Sequence, residues 1–156
     1  ITPLQSTRKD VVRLFKQCDD KTRACEFGVG NESVSILFSD SVSARFHPCI
    51  NELPEGTVMF IKVTPQMKMP LALLDLRRGF RKFNPSVPPQ PRYAGYLDRK
   101  QGLIITSFQG IVFEMTYIAS QSDSRACPSY YEDPEALSRL PTSSTQVRSN
   151  CVVPHE

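Results

Sequence analysis

Residues 24–39, ACEFGVGNESVSILFS, decide the fold. Apolar and polar side chains largely alternate on both sides of Gly30-Asn31. A period of two marks a strand with one face buried, and both turn residues tolerate the positive φ of a tight hairpin. The pattern predicts two antiparallel strands, Ala24 to Val29 and Val34 to Ser39. Toward the N-terminus, it predicts a helix over about residues 7–17. Val11, Val12, Leu14 and Phe15 form its apolar stripe, with Leu4 placed to staple onto it. Ser6 or Thr7 can accept a free N–H of the first turn. Thr7-Arg8-Lys9-Asp10 resembles a capping box, with Asp where Glu is preferred.

Toward the C-terminus, residues 40–56 read as a long loop, and TVMFIKV (57–63) reads as a strand stopped by Pro65. Leu71 to Leu76 is a short helix or turn. Residues 84–91 hold four prolines and cannot join a sheet interior. Strands follow at 93–97, 103–108 and 111–118, the last two joined through Gln109-Gly110. The predicted class is therefore α+β: an N-terminal helix packed on an antiparallel sheet. Residues 1–119 form the domain. Its parts 1–64 and 66–119 can each be cut as helix, hairpin, closing strand, which is the pattern of a degenerate tandem repeat. Residues 120–156 are rich in Ser, Thr, Gln and Pro and read as an extended tail.

The net charge of the 156 residues is +3, too small to point to nucleic acid. Residues 65–100 are more basic: Lys68, Arg77, Arg78, Arg81, Lys82, Arg92, Arg99 and Lys100 stand against Asp75 and Asp98. A solvated face accounts for such a distribution, and a surface for an acidic partner is the sharper alternative. No apolar run is long enough to cross a membrane as a helix, so membrane association is expected only through a partner. Ile1 is expected to be the first residue of a mature chain whose export signal was removed.

Chemistry is sparsely provided for. Nucleophilic catalysis needs a base beside the nucleophile, and the only histidines are His47 and His155. His47 and Cys49 are near in sequence, but a disulfide competes for Cys49. The sequence has no C-x-x-C, H-x-x-x-H or phosphate-cradling glycine loop. Glu132-Asp133 lies in a Pro-flanked loop and does not form an acid–base pair across a cleft. No catalytic residue, metal or cofactor is expected. The candidate binding surface is Arg92, Tyr93, Tyr96, Arg99 and Lys100, residue types favoured at hot spots. Its competing explanation is an edge strand guarded by charge.

Five cysteines favour an oxidising compartment. One arrangement pairs Cys25 with Cys49 and Cys127 with Cys151, leaving Cys18 as the odd thiol. Another pairs Cys18 with Cys25 and leaves Cys49 to meet Cys127. Sequence does not choose between them.

Several motifs form a recognisable set. They are Pro3, Leu4, Ser6, Thr7, Arg8 and Val11 at the opening; Cys25 in a strand; Pro48-Cys49; Leu53 to Val58 (LPEGTV); and Cys127 to Pro134 (CPSYYEDP). The combination resembles an exported acidobacterial family of unknown function. The Leu-Gly usual after its first helix is Phe15-Lys16-Gln17 here, and its Gly-Trp loop pair is missing. More distantly, the element order is similar to small outer-membrane assembly lipoproteins of the SmpA/OmlA type and to β-lactamase-inhibitor modules. The resemblance implies a periplasmic or surface location and no known activity. The expected function is a non-catalytic subunit of an extracytoplasmic assembly, binding another protein or copies of itself. The alternative is a soluble ligand-binding or inhibitor module using the Tyr/Arg region.

Overall fold

The computed structural model describes residues 1–19, 22–40, 53–76, 79–85 and 89–123. Among them one short helix precedes eight antiparallel strands. Helix α1 is Arg8–Leu14; the strands are β1 (Ala24–Val29), β2 (Glu32–Phe38), β3 (Val58–Pro65), β4 (Met69–Pro70), β5 (Phe80–Phe83), β6 (Tyr93–Asp98), β7 (Leu103–Phe108) and β8 (Ile111–Tyr117). The sheet order is β1-β2-β3-β8-β7-β6-β5, and β4 also pairs with β8. Thus the closing strand of the first half lies beside that of the second, with Lys62 opposite Thr116.

The start of α1 follows its sequence. Thr7 is the N-cap, and the reciprocal bonds of a capping box are present: the Thr7 N–H donates to Asp10 Oδ2 at 2.9 Å, while Thr7 Oγ1 accepts from the Asp10 N–H at 3.4 Å. These bonds to Thr7, backbone first and then side chain, hold the Asp10 carboxyl below its ordinary pKa. Ser6 instead closes the preceding turn by accepting the Thr2 N–H. The helix stops earlier than predicted, because Phe15 turns extended to stack on Phe27, centroids 4.3 Å apart. Four residues earlier in the helix, Val11 joins one buried cluster with Cys18, Cys25, Phe27, Ile36, Phe38 and Val58.

A second cluster comprises Met59, Phe60, Leu97, Ile104 and Ile118, with Leu37, Leu53 and Phe83 against it. Ile36 belongs to the first cluster and its neighbour Leu37 to the second. Successive strand residues face opposite ways, so the sheet buries apolar side chains on both faces. Both hairpin turns work as the sequence predicts. Gly30 takes φ +57°, and Gln109-Gly110 takes +52° and +77°, the two-residue geometry with positive φ that matches strand twist.

Two readings are corrected. Cys18 is not the odd thiol: it is bonded to Cys25, Cα atoms 5.3 Å apart. The cause is the early helix stop, which brings Cys18 back over the start of β1. Cys49, Cys127 and Cys151 lie outside the described residues. Secondly, β6 is not an edge strand, since β5 flanks it. The short helix or turn expected from Leu71 onward is present as a single 3-10 turn, Leu71–Leu73, following two strand residues.

Candidate functional site

Strands β1, β2, β4, β6, β7 and β8, alternating in direction, each place one terminus at the same end of the sheet, called here the turn end. It carries the Gly30-Asn31 turn, the three residues 66–68 between β3 and β4, the 3-10 turn, the Gln109-Gly110 turn and Arg92. Backbone bonds lace these pieces together. The Gln66 N–H donates to Asn31 O (2.9 Å), Leu71 N–H to Gly110 O (2.8 Å) and Gln109 N–H to Arg92 O (2.8 Å).

The local irregularities decide what this end exposes. Strands β3 and β4 are two parts of one run along β8, interrupted by 66–68, where Met67 is exposed. The β7–β8 register shifts between Thr106 and Ser107, leaving Phe113 without a partner across the ladder. An extra residue of this kind bends the strand and re-aims its side chain. Tyr93 lies opposite Phe108 with centroids 4.8 Å apart, and its ring meets Phe113 edge-on at 6.2 Å. Among the described residues, most large exposed apolar side chains lie at this end: Leu73 is 76% exposed, Met67 65%, Phe113 41%, Phe108 36% and, on the opposite face from Phe108, Val29 49%. Exposed Lys68 and Arg92 accompany them.

The predicted Tyr/Arg surface is split by this geometry. Arg92 and Tyr93 are at the turn end, whereas Arg99 and Lys100 occupy the β6–β7 loop at the far end. Seven strand steps of about 3.3 Å separate Arg92 from Arg99 by about 23 Å. Tyr93 and Tyr96 are three positions apart and so face opposite sides of the sheet; Tyr96 lies opposite Lys82 and Ile105. The far loop is organised by Asp98, whose buried Oδ1 accepts the N–H groups of Lys100 (2.9 Å) and Gln101 (3.1 Å). Sequence reading missed Phe113, Phe108, Leu73, Met67 and Val29. One signal was available: Ile111-Val112-Phe113 is apolar three times running, so an alternating strand must turn one of them away from its core.

A cavity of about 230 Å³ lies at the far end, between the N-terminal segment and residues 117–123, bordered by Gln5, Ile61, Tyr117, Ser120 and Asp123. It falls below the roughly 300 Å³ at which drug-sized ligand sites begin. In mid-sheet, Lys62 Nζ meets Glu114 Oε2 at 3.4 Å, and Thr116 Oγ1 donates to Glu114 Oε1. Among the described residues no three His, Cys, Asp or Glu side chains cluster as metal ligands, and no helix is long and apolar enough to cross a membrane. His47, His155 and Glu132-Asp133 lie outside the described residues, as do Arg77 and Arg78.

Compared with protein-family models, with curated proteins and with solved structures, the chain finds no match.

Proposed function

We propose that this chain is a non-catalytic protein-binding module, a structural or accessory subunit of an assembly outside the cytoplasm, which docks through the turn end of its sheet. The observation that carries this is the exposure of Phe108 and Phe113 around Tyr93 at the turn end, where Leu73 and Met67 are exposed too, in a domain whose other described apolar residues are mostly buried or half-buried. Exposed apolar groups gathered at one end of a domain suit a protein contact site, and aromatic and Met side chains are enriched in such sites. Arg92 beside Tyr93 supplies a polar rim. The extracytoplasmic location is supported by the Cys18–Cys25 bridge, a linkage that persists in oxidising compartments. The domain is taken as residues 1–119, with α1 covering one face of the sheet; Val11 in the β1–β3 cluster supports that arrangement.

The test compares wild type with Phe108→Ser/Phe113→Ser. Both side chains are partly exposed, so the variant is expected to fold, which circular dichroism checks. Wild type is expected to elute from size-exclusion chromatography in a complex, with itself or with a partner from its native extract. The variant is expected to elute as a monomer. Identical elution of a well-folded variant and wild type would remove the turn end as the docking surface.

A further inference from the structure

Among the described residues the sheet has two edges, β1 and β5, and they are built differently. β5 is four residues long and presents exposed Arg81 and Lys82, the short and charged form that discourages strand addition. β1 has six residues, no proline and no lysine, and pairs with β2 without a register break. The Phe38 N–H donates to Arg23 O at 2.9 Å, so Arg23 and Phe38 form a hydrogen-bonded pair. Antiparallel pairs alternate. Cys25, Phe27 and Val29 therefore bond toward β2, and the N–H and C=O groups of Ala24, Glu26 and Gly28 point outward. The edge is also held in place: Cys18 is bonded to Cys25, and Phe15 stacks on Phe27. An incoming strand would meet a preorganised ladder with little left to order.

We infer that the outer edge of β1 is a strand-addition site for an extended segment of another polypeptide, in which a lysine or arginine is flanked by apolar residues. Strand addition takes affinity from main-chain bonds and selectivity from alternate side chains. Residues laid opposite Cys25 and Phe27 lie on the face of the first apolar cluster, beside Phe15. The residue opposite Glu26 meets an exposed carboxylate that forms no ion pair among the described residues. A second copy of the chain is a poor occupant. Outward groups have to meet outward groups, so antiparallel self-pairing over most of the strand sets Glu26 directly opposite or diagonal to its counterpart. Like charges directly opposite are destabilising, and diagonal ones stay within reach of each other.

The test titrates the isotope-labelled protein with a short peptide alternating valine and lysine, and with one alternating valine and glutamate. Amide exchange is expected to slow at Ala24, Glu26 and Gly28, while Cys25 and Phe27, already bonded to β2, stay unchanged. The lysine peptide is expected to bind about three- to tenfold more tightly, and Glu26→Lys should invert that order. Gly28→Pro removes only an outward N–H, which edge strands tolerate, and should weaken both peptides. Equal affinities, an uninverted order in Glu26→Lys, or protection confined to residues outside β1 would each overturn the inference. The Phe108→Ser/Phe113→Ser variant is expected to bind these peptides as wild type does, which separates this edge from the turn end.

Discussion

Gly95→Ala tests how the second half of the sheet is closed. Gly95 of β6 lies directly opposite Phe83 of the edge strand β5, and the Phe83 ring lies over it. A methyl group on Gly95 would stand 2.6 Å from ring carbons Cε1 and Cε2. Carbon atoms prefer roughly 3.5–4.0 Å, so the ring has to retreat by about 1 Å. Gly95 cannot move instead, because β6 is paired on both sides. β5 can move, since it is short and paired on one side only. Phe83 would then withdraw from Leu97 and Ile104 in the second cluster. Overpacking of this kind costs about 1–3 kcal/mol. Replacing glycine in a strand returns about 0.5–1 kcal/mol through the unfolded chain. The expected net loss is about 1–2 kcal/mol. A double-mutant cycle with Phe83→Ala, read by urea unfolding, isolates the cause. Without the ring, Gly95→Ala should be neutral or stabilising. An equal loss in both backgrounds, or no loss in wild type, would refute the account of Phe83 as the cover of Gly95.

Two further outcomes follow from the N-terminal part of the domain. Cys18 and Cys25 are seven positions apart, and closing so small a loop is worth about 2.5 kcal/mol in the chain-entropy picture; Cys18→Ala/Cys25→Ala should lose about that much in denaturant unfolding and should raise amide exchange in β1 before β2. The Asp10 carboxyl is held below its ordinary pKa by Thr7, so its contribution is present above the unfolded carboxylate value and is lost as pH falls through the lower folded one. The stability gap between wild type and Asp10→Asn should therefore be constant near neutrality and close below about pH 4, as thermal unfolding across pH would read.

The six longest strands were legible because each either alternates or carries a dense apolar run, and because Gly30-Asn31 and Gln109-Gly110 permit positive φ. β5 was not. Its sequence, Phe-Arg-Lys-Phe, places both apolar residues three apart, which fits neither face of a strand; it is ordered by Phe83 reaching across to Gly95, a tertiary contact. β4 contains Pro70 and follows Pro65, so local chemistry argued against it. Its pairing with β8 is made by the chain returning along β8 after residues 66–68. The disulfide was illegible for a related reason: the choice of partner for Cys25 depended on where the helix stopped. Phe15 leaves the helix for the Phe27 ring although Lys16-Gln17 suit a helix well. The candidate surface was half legible. Tyr93 and Arg92 were singled out from composition, but a strand separates them from Arg99 and Lys100 by its length.

The described motifs behind the family resemblance perform structural work at the far end of the sheet. Thr7 caps α1, and Ser6 closes the turn before it. Gly56, at φ +81°, offers its carbonyl to the Arg8 N–H at 2.7 Å. Ser39 Oγ donates to Pro54 O at 2.7 Å and accepts the Thr57 N–H at 3.0 Å. Val58 trades backbone bonds with Leu4 and Ser6. Together they lock the N-terminal segment, the start of β3 and the end of β2 into one knot. Motifs with such roles speak to the fold, and any chain that builds this knot can carry them whatever it binds. Binding has to be sought where no such bonds are made. That leaves the turn end, where the backbone is laced but the apolar side chains are left out, and the β1 edge, where the side chains are pinned but the backbone groups are left out. The two surfaces therefore ask for different partners, one offering apolar side chains and the other offering an extended main chain.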